Sequence, residues 1–382
     1  MDSWCDLTPG SRDAASSSTA VFPGYEISPD LCKTELAFIS TTILTYPQRP
    51  PLTTFIIMSQ QQQRKKVVSI ALLVADTPPP SVVAVKGDYT KIYPRFLQDS
   101  LNTIRRHPWQ PHVELHIRCY DVVNKMEYPD EGQLGDGLWD AVMITGSASS
   151  AYLDLEWTKK LAVFLRSTAE NHPLVRLIGI CYGHQILARA FDGVVEANPK
   201  GWELGTTSCT LTEHGRELLG YDEPTDGDQM AIQQVHKDHV IDLPPDFQGE
   251  RFENLASTDI SPIQSLILKY PTEAPPPAST AGTSAYMAFD IEDSETASSG
   301  PHPLRSLHVL TFQGHPEFDR EFVESIIGIR AEKGIVTGEL RERSLENAKK
   351  PHDGLKLGRA ILTMLGVEEA RTDTGDSMVN IG

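Results

Sequence analysis

A short apolar run followed by Gly-x-Cys-x-Gly is the feature that most constrains how this chain can fold. Residues 174–180 are mostly apolar, as in a buried parallel strand, and residues 185–190 are mostly good helix formers. Gly179 and Gly183 stand two positions on either side of Cys181. A strand that turns sharply into a helix needs small residues there, because larger side chains collide. The pattern therefore predicts a strand, a tight turn with Cys181 at its apex, and a helix whose N-terminus favours a thiolate.

A second apolar run, residues 307–312, is followed closely by His315 and Glu317. A nucleophilic thiol needs a base, and the base needs a carboxylate that fixes its tautomer. Taken alone, Cys181 also has the ordinary interpretation of a buried structural cysteine. The three residues together predict a Cys-His-Glu catalytic triad.

Two motifs carry a family resemblance. Cys-Tyr-Gly-His-Gln at 181–185 and Gln-Gly-His-Pro-Glu-Phe at 313–318 resemble the motifs of class I glutamine amidotransferases of the Cys-His-Glu triad type. Residues 198–203 and 235–240 are similar to the stand-alone fungal branch of that family, and the resemblance covers roughly residues 67–327. It implies an α/β fold in which a doubly wound, mostly parallel, flavodoxin-like sheet carries a nucleophile elbow.

The order of the predicted elements independently favours this fold class. Strand patterns occupy residues 67–75, 113–120, 138–145, 263–270 and 308–313, and helical patterns occupy 88–104, 154–170, 321–330 and 355–365. Alternation of strands and helices predicts a doubly wound sheet with right-handed crossovers. Sites in such sheets lie at the carboxyl ends of the strands, where Gly146, Cys181 and His315 fall.

The predicted chemistry requires donors for an oxyanion. The backbone N–H of Tyr182, directly after the nucleophile, is the expected first donor. The resemblance implies a glycine after the third strand as the second donor, and Gly146 matches that position. His184 lies next to the nucleophile in sequence, but we interpret it as structural packing rather than as the base.

The resemblance also implies a substrate pocket. In the family, the turn that corresponds to residues 199–205 holds the α-amino and α-carboxylate groups of glutamine, so that Pro199, Lys200 and Gly201 are candidate binding residues. Gln185 matches the glutamine of the family's C-x-G-x-Q motif, and His236 lies in a segment that the family places near the substrate. For Gln185 and His236, purely structural roles stay open.

Composition excludes several classes of function. The chain has 34 Lys and Arg against 52 Asp and Glu, a net charge of −18, which disfavours nucleic acid and anionic membranes as partners. No apolar run reaches the roughly 18 residues of a membrane span. Five scattered cysteines predict reduced thiols and a cytosolic location. No metal-ligand spacing stands out, and the predicted chemistry needs neither a metal nor another cofactor.

Domain boundaries follow from changes in composition. Residues 1–63 are expected to be a disordered or mis-annotated extension, with Met58 as the natural start if residues 1–57 are not part of the native protein. The family domain is expected at 64–335, with a low-complexity insertion at 271–305. Residues 336–382 are expected to form a helical segment and a tail.

The expected reaction is hydrolysis of the γ-glutamyl amide of glutamine, or of another γ-glutamyl compound, through a glutamyl-thioester intermediate. Three interpretations of its role stay open. The chain is a stand-alone γ-glutamyl hydrolase, an ammonia-donating subunit of a separate synthase, or a non-catalytic binding protein with this fold. No P-loop or synthetase domain is recognisable in the sequence, and the intact triad disfavours the last interpretation.

Overall fold

A seven-stranded, mostly parallel sheet carries the functional residues. The structure is a computed structural model that describes residues 65–221, 227–271 and 302–370, all within one compact unit. The predicted N-terminal extension, most of the predicted insertion and the tail from residue 371 lie outside the described residues.

The described residues form twelve strands, nine α-helices and one short 3-10 helix. In chain order these are β1 Lys65–Val74, α1 Pro80–Lys86, α2 Tyr89–Thr103, β2 His112–Asp121, α3 Glu131–Gly135, β3 Ala141–Ile144, α4 Glu156–Asn171, β4 Arg176–Ile180, α5 Tyr182–Ala190, β5 Val194–Ala197, β6 Glu203–Leu211, α6 Glu213–Leu219, β7 Gln229–His236, β8 Asp238–Asp242, β9 Glu253–Asn254, β10 Ala256–Ser257, β11 Leu266–Lys269, the 3-10 helix Pro303–Ser306, β12 Leu307–Phe312, α7 Arg320–Glu332, α8 Gly338–Ala348 and α9 Gly354–Met364.

The central sheet has the strand order β2-β1-β3-β4-β12-β11-β9. Pairing is parallel from β2 to β12 and antiparallel at β11 and β9. This arrangement confirms the predicted mostly parallel α/β fold. It also makes β4, which ends before Cys181, the direct neighbour of β12, which ends before His315.

Both faces of the sheet are buried, because successive residues of a strand point to opposite sides. In β1, Val68, Ile70 and Leu72 join one apolar cluster, whereas Ala71 and Leu73 join another. The first cluster includes side chains of α2, α7 and α9, and the second includes side chains of α4 and α5. Helices therefore cover both faces, as in a doubly wound sheet.

Two small antiparallel sheets were not recognised in the sequence. β6 pairs with β7 and β10, and β5 pairs with β8. Strand β7 reaches the carboxyl end of the central sheet, where its Gln233 forms an isolated bridge with His315. The predicted helices at 88–104, 154–170, 321–330 and 355–365 are present within two residues at each end.

The C-terminal part of the predicted insertion is ordered in the described residues. Pro303–Ser306 forms the 3-10 helix, and Leu304 is buried in the first apolar cluster. In the part of the chain that the structure describes, every helix is too short or too polar to cross a bilayer.

The contact between α9 and α2 supports a test of the packing. A Cβ atom at Gly358 would lie 1.9 Å from Ser100 Oγ and 2.7 Å from Ser100 Cβ, whereas one at Gly328 in α7 would meet nothing within 4 Å. We expect Gly358→Ala to lower the free energy of unfolding by about 1–3 kcal/mol through overpacking. The matched variant Gly328→Ala should raise it by about 0.5–1 kcal/mol through helix propensity. Urea denaturation measures both, and a stabilised Gly358→Ala variant would contradict the described contact.

Candidate active site

Cys181 lies at the apex between β4 and α5 with φ 52° and ψ −101°. This positive φ is unusual for a residue with a side chain and costs on the order of 1–3 kcal/mol. Its neighbours explain how the turn closes. A Cβ atom at Gly179 would lie 2.5 Å from the Gly183 carbonyl, and one at Gly183 would lie 2.5 Å from the Ile144 oxygen. Both glycines are therefore required, as the sequence pattern predicted, and the Cys181 N–H donates to the Phe312 carbonyl at 2.8 Å.

His315 and Glu317 form a buried pair beside the nucleophile. Nδ1 of His315 lies 2.7 Å from Oε1 of Glu317, and the two side chains are 4% and 0% exposed. The ring of Phe318 stacks on the imidazole with 4.0 Å between centroids. The other imidazole nitrogen is left to serve Cys181, because Nδ1 is engaged by the carboxylate.

The electrostatics of this pair favour an imidazolium. Burial lowers the pKa of His315, but the charges of Cys181 and Glu317 and hydrogen bonds to both outweigh burial and raise that pKa to about 10. A protonated imidazole beside the sulfur stabilises a thiolate, as does the N-terminus of α5. The predicted Cys-His-Glu arrangement is thus assembled with its three members in contact.

The chain is similar to several known proteins. The family model of class-I glutamine amidotransferases matches residues 113–266. A glutamine amidotransferase-like protein of Schizosaccharomyces pombe is 29% identical over 285 residues, 74% of this chain and 93% of that protein. Gamma-glutamyl peptidase 3 of Arabidopsis thaliana is 26% identical over 205 residues, 53% of this chain and 63% of that protein. A solved glutamine amidotransferase from Methylobacillus flagellatus aligns with a TM-score of 0.47 at 17% identity, over 81% of this chain and 98% of that chain.

The comparisons support a class-I glutamine amidotransferase domain in this chain. The two predicted oxyanion donors, Tyr182 and Gly146, differ in their hydrogen bonds. Tyr182 is the first residue of α5, so its N–H has no carbonyl partner within the helix. The N–H of Gly146 donates to the Tyr93 hydroxyl at 2.9 Å, and its role as the second donor stays a prediction. A Cβ atom at Gly146 would also lie 2.6 Å from Cε1 of His315, so only glycine fits there.

Two neutral amide side chains link the sulfur of Cys181 to β8. Gln313 Nε2 lies 3.7 Å from the sulfur of Cys181, and its oxygen accepts from Gln185 Nε2 at 3.2 Å. The same nitrogen of Gln185 lies 2.9 Å from the Asp238 carbonyl. Gln185, predicted to line the substrate pocket of this amidotransferase domain, is only 3% exposed and is engaged by protein groups.

His236 continues this network instead of facing an open cavity. Nδ1 of His236 lies 3.0 Å from the Asp238 carbonyl, and Nε2 lies 3.2 Å from Oε2 of Glu203. Burial raises the pKa of Glu203, but His236, Thr258 and other hydrogen-bond donors lower it overall, so the carboxyl is ionised. The structure therefore places the His236 ring between Glu203 and the Asp238 carbonyl, which also contacts Gln185.

The predicted glutamine-holding turn lies between β5 and β6. Gly201 has φ +100°, which favours glycine, and its N–H donates to the Asn198 carbonyl at 3.1 Å. Pro199 and Lys200 are exposed, and the Lys200 ammonium donates to the Asp259 carbonyl. The side chain of Lys200 is therefore held at the surface by a protein carbonyl, and any contribution of this turn to binding has to come mainly from its backbone.

His184 has the structural role that the sequence analysis gave it. Its side chain is fully buried, and Nδ1 lies 2.8 Å from Thr311 Oγ1. Burial lowers the pKa of His184 to about 3, which keeps the imidazole neutral. It is thus unavailable as the base of the triad.

Three residues of the site escaped the sequence analysis: Tyr93, Glu203 and Gln313. Tyr93 belongs to the apolar face of α2, where nothing distinguishes its hydroxyl from a packing group. Glu203 is the last residue of the segment 198–203, which the sequence identified only through its family resemblance. Gln313 carried a usable signal, because it is a polar residue directly after a strand that is apolar at most positions and lies two positions before His315.

The charge of His315 leads to a prediction about the reactivity of Cys181. Because His315 keeps its proton up to about pH 10, its positive charge is present beside Cys181 between about pH 7 and 9. In His315→Gln the sulfur loses this neighbouring cation, so alkylation of Cys181 by iodoacetamide should be slower in the variant than in the parent protein over that pH range. Mass spectrometry of the modified peptide measures the rate.

Cys119 supplies the internal control for this experiment, since it is a partly exposed cysteine remote from the triad in sequence. Its alkylation profile should be the same in both proteins. Identical alkylation rates of Cys181 with and without His315 would refute the predicted effect of the His315 charge.

Proposed function

We propose that this protein hydrolyses γ-glutamyl amides through a covalent thioester on Cys181. The observation that carries the proposal is the strained apex geometry of Cys181 beside a buried His315–Glu317 pair. A residue held at positive φ against a steric cost is typical of sites where position matters for chemistry. The match of residues 113–266 to the class-I glutamine amidotransferase model, and the similarity to a gamma-glutamyl peptidase, support the choice of a γ-glutamyl amide as the substrate.

In the first step, the thiolate of Cys181 attacks the γ-carbonyl carbon of the substrate. A C–S bond forms, and the carbonyl electrons move to oxygen. His315 then gives its proton to the leaving nitrogen, and the C–N bond breaks to release ammonia or an amine. Glu317 keeps the imidazole oriented and stabilises its positive charge.

In the second step, water hydrolyses the γ-glutamyl thioester. His315, now neutral, takes a proton from the water as its oxygen attacks the carbonyl carbon. The C–S bond breaks, glutamate leaves, and the thiolate–imidazolium pair is restored. The cycle uses no group outside the triad as acid, base or nucleophile.

Both steps develop negative charge on the γ-carbonyl oxygen. The N–H of Tyr182 at the start of α5 is the first proposed donor, helped by the helix dipole. Gly146 would act as the second donor only by exchanging the Tyr93 hydroxyl for the oxyanion. Burial and the charge of Glu317 raise the pKa of Tyr93 well above its usual range, so the hydroxyl that must be displaced is neutral. An oxyanion accepts a stronger hydrogen bond than a neutral hydroxyl does, which favours the exchange.

The intermediate can be tested directly. Hydroxylamine added during turnover of glutamine or a γ-glutamyl peptide should divert the thioester to γ-glutamyl hydroxamate, which a ferric assay detects. Cys181→Ser should abolish hydroxamate formation and lower kcat by about 10⁴-fold or more. Cys119→Ser is the matched control and should behave as the parent protein. Hydroxamate formation that survives Cys181→Ser would exclude the proposed nucleophile.

Substrate ranking separates a stand-alone hydrolase from an ammonia-donating subunit. A hydrolase of γ-glutamyl peptides gains transition-state binding from the amine portion, so kcat/KM should be higher for γ-glutamylglycine than for glutamine. A donor subunit should prefer glutamine and should be stimulated by its synthase partner. We favour the hydrolase, and release of ammonia or glycine by the purified protein measures the ranking.

A further inference from the structure

Arg330, in the last turn of α7, carries a half-buried cation that the proposed reaction does not use. Its guanidinium carbon lies 4.0 Å from the centroid of the Trp202 ring. Its Nη1 atom is inaccessible to solvent and has no hydrogen-bond partner among residues 65–221, 227–271 and 302–370. Trp202 directly follows the turn at 199–201, so this cation lies beside the predicted substrate-binding turn.

The guanidinium is also within the electrostatic field of the nucleophile. Burial lowers the pKa of Arg330 to about 10, and the charges of Cys181 and Tyr89 act in the opposite direction. The side chain therefore remains charged at neutral pH. A buried Nη1 atom that makes no hydrogen bond with the described residues is costly for a charged group, and an anionic ligand would remove that cost.

The surroundings of Arg330 place it on the imidazole side of Cys181. Tyr89, which interacts with Arg330, packs on Phe318 with 6.4 Å between ring centroids. Phe318 in turn stacks on His315 at 4.0 Å. His315 protonates the leaving nitrogen in the proposed reaction, so the leaving amine departs toward this side of the site.

We infer that Arg330 is a specificity residue that binds a carboxylate on the leaving amine of the substrate. The inference rests on the proposed function and narrows its substrate class to γ-glutamyl amino acids and peptides with a free carboxylate in the amine portion. The Trp202 ring, 4.0 Å from the guanidinium carbon, positions the cation, and Nη1 has no hydrogen bond within the described part of the chain to lose when a carboxylate binds. Glutamine, which releases ammonia, has no group to occupy this position.

Two substrates of nearly equal size test the inference. γ-Glutamylglycine carries the carboxylate, and γ-glutamylglycinamide replaces it with a neutral amide. The parent protein should show a kcat/KM about 10- to 100-fold higher for the acid, the range of a charge-assisted hydrogen bond. Arg330→Gln should bring that ratio close to one, and Arg330→Lys should restore part of it.

Arg320→Gln is the matched control, because Arg320 lies on the same helix and pairs with Glu324 at the surface. It removes the same charge and should keep the preference for the acid. Equal losses on both substrates in Arg330→Gln would overturn the inference, since that result assigns Arg330 to the glutamyl α-carboxylate or to the thiolate. A parent protein without preference for the acid would also overturn it.

A binding measurement separates failure of this inference from failure of the proposed function. Calorimetry on Cys181→Ser, which cannot form the thioester, compares the affinities of the two compounds without turnover. The acid should bind about 10-fold or more tightly, and the difference should disappear in Cys181→Ser/Arg330→Gln. This result would hold for Arg330 even if the parent protein cleaved neither compound. Equal affinities in Cys181→Ser would exclude the carboxylate subsite even if the hydrolase proposal stood.

Discussion

The close approach of the elbow helix to β3 is the contact on which the site depends. With a Cβ atom at Gly183, the Ile144 oxygen would lie only 2.5 Å away, so the helix can start at this place only with glycine there. That approach fixes the turn and forces the positive φ of Cys181. The hydrogen bond from Cys181 to Phe312 then ties the strained apex to β12. Nucleophile and base are consequently held in register by the same backbone contact that joins their strands.

The polar groups around Cys181 are divided by charge. The side chains of Gln313 and Gln185 near the sulfur are neutral amides, so they hold the elbow without adding charge to it. The carboxylate of that network, Glu203, contacts the His236 ring at 3.2 Å. On the other member of the site, contacts with Cys181 and Glu317 raise the pKa of His315 to about 10, so its imidazole is charged at neutral pH. A buried site can thus contain many polar groups, because most of them are neutral or in contact with a partner.

The elbow and the proximity of Cys181 and His315 could be predicted because local rules dictate them: small residues at fixed positions, and a histidine at the end of a neighbouring strand. The parallel sheet could also be predicted from the sequence, since fully buried strands are apolar throughout. The three-stranded sheet of β10, β6 and β7 could not be predicted, because β6 and β7 mix polar and apolar residues and the paired strands are not adjacent in sequence. The engagement of Gly146 by Tyr93 and of Lys200 by Asp259 depends on tertiary contacts that no spacing rule encodes.

The pairing of β4 with β12 has a consequence for biosynthesis. Gln313, which contacts the sulfur of Cys181, lies 132 positions beyond it in the chain. Until β12 has left the ribosome and paired with β4, the imidazole is absent and Cys181 is an ordinary thiol. Long-range strand pairing is a slow, late event in folding. Cys181 therefore meets Gln313 and His315 only when most of the sheet is complete.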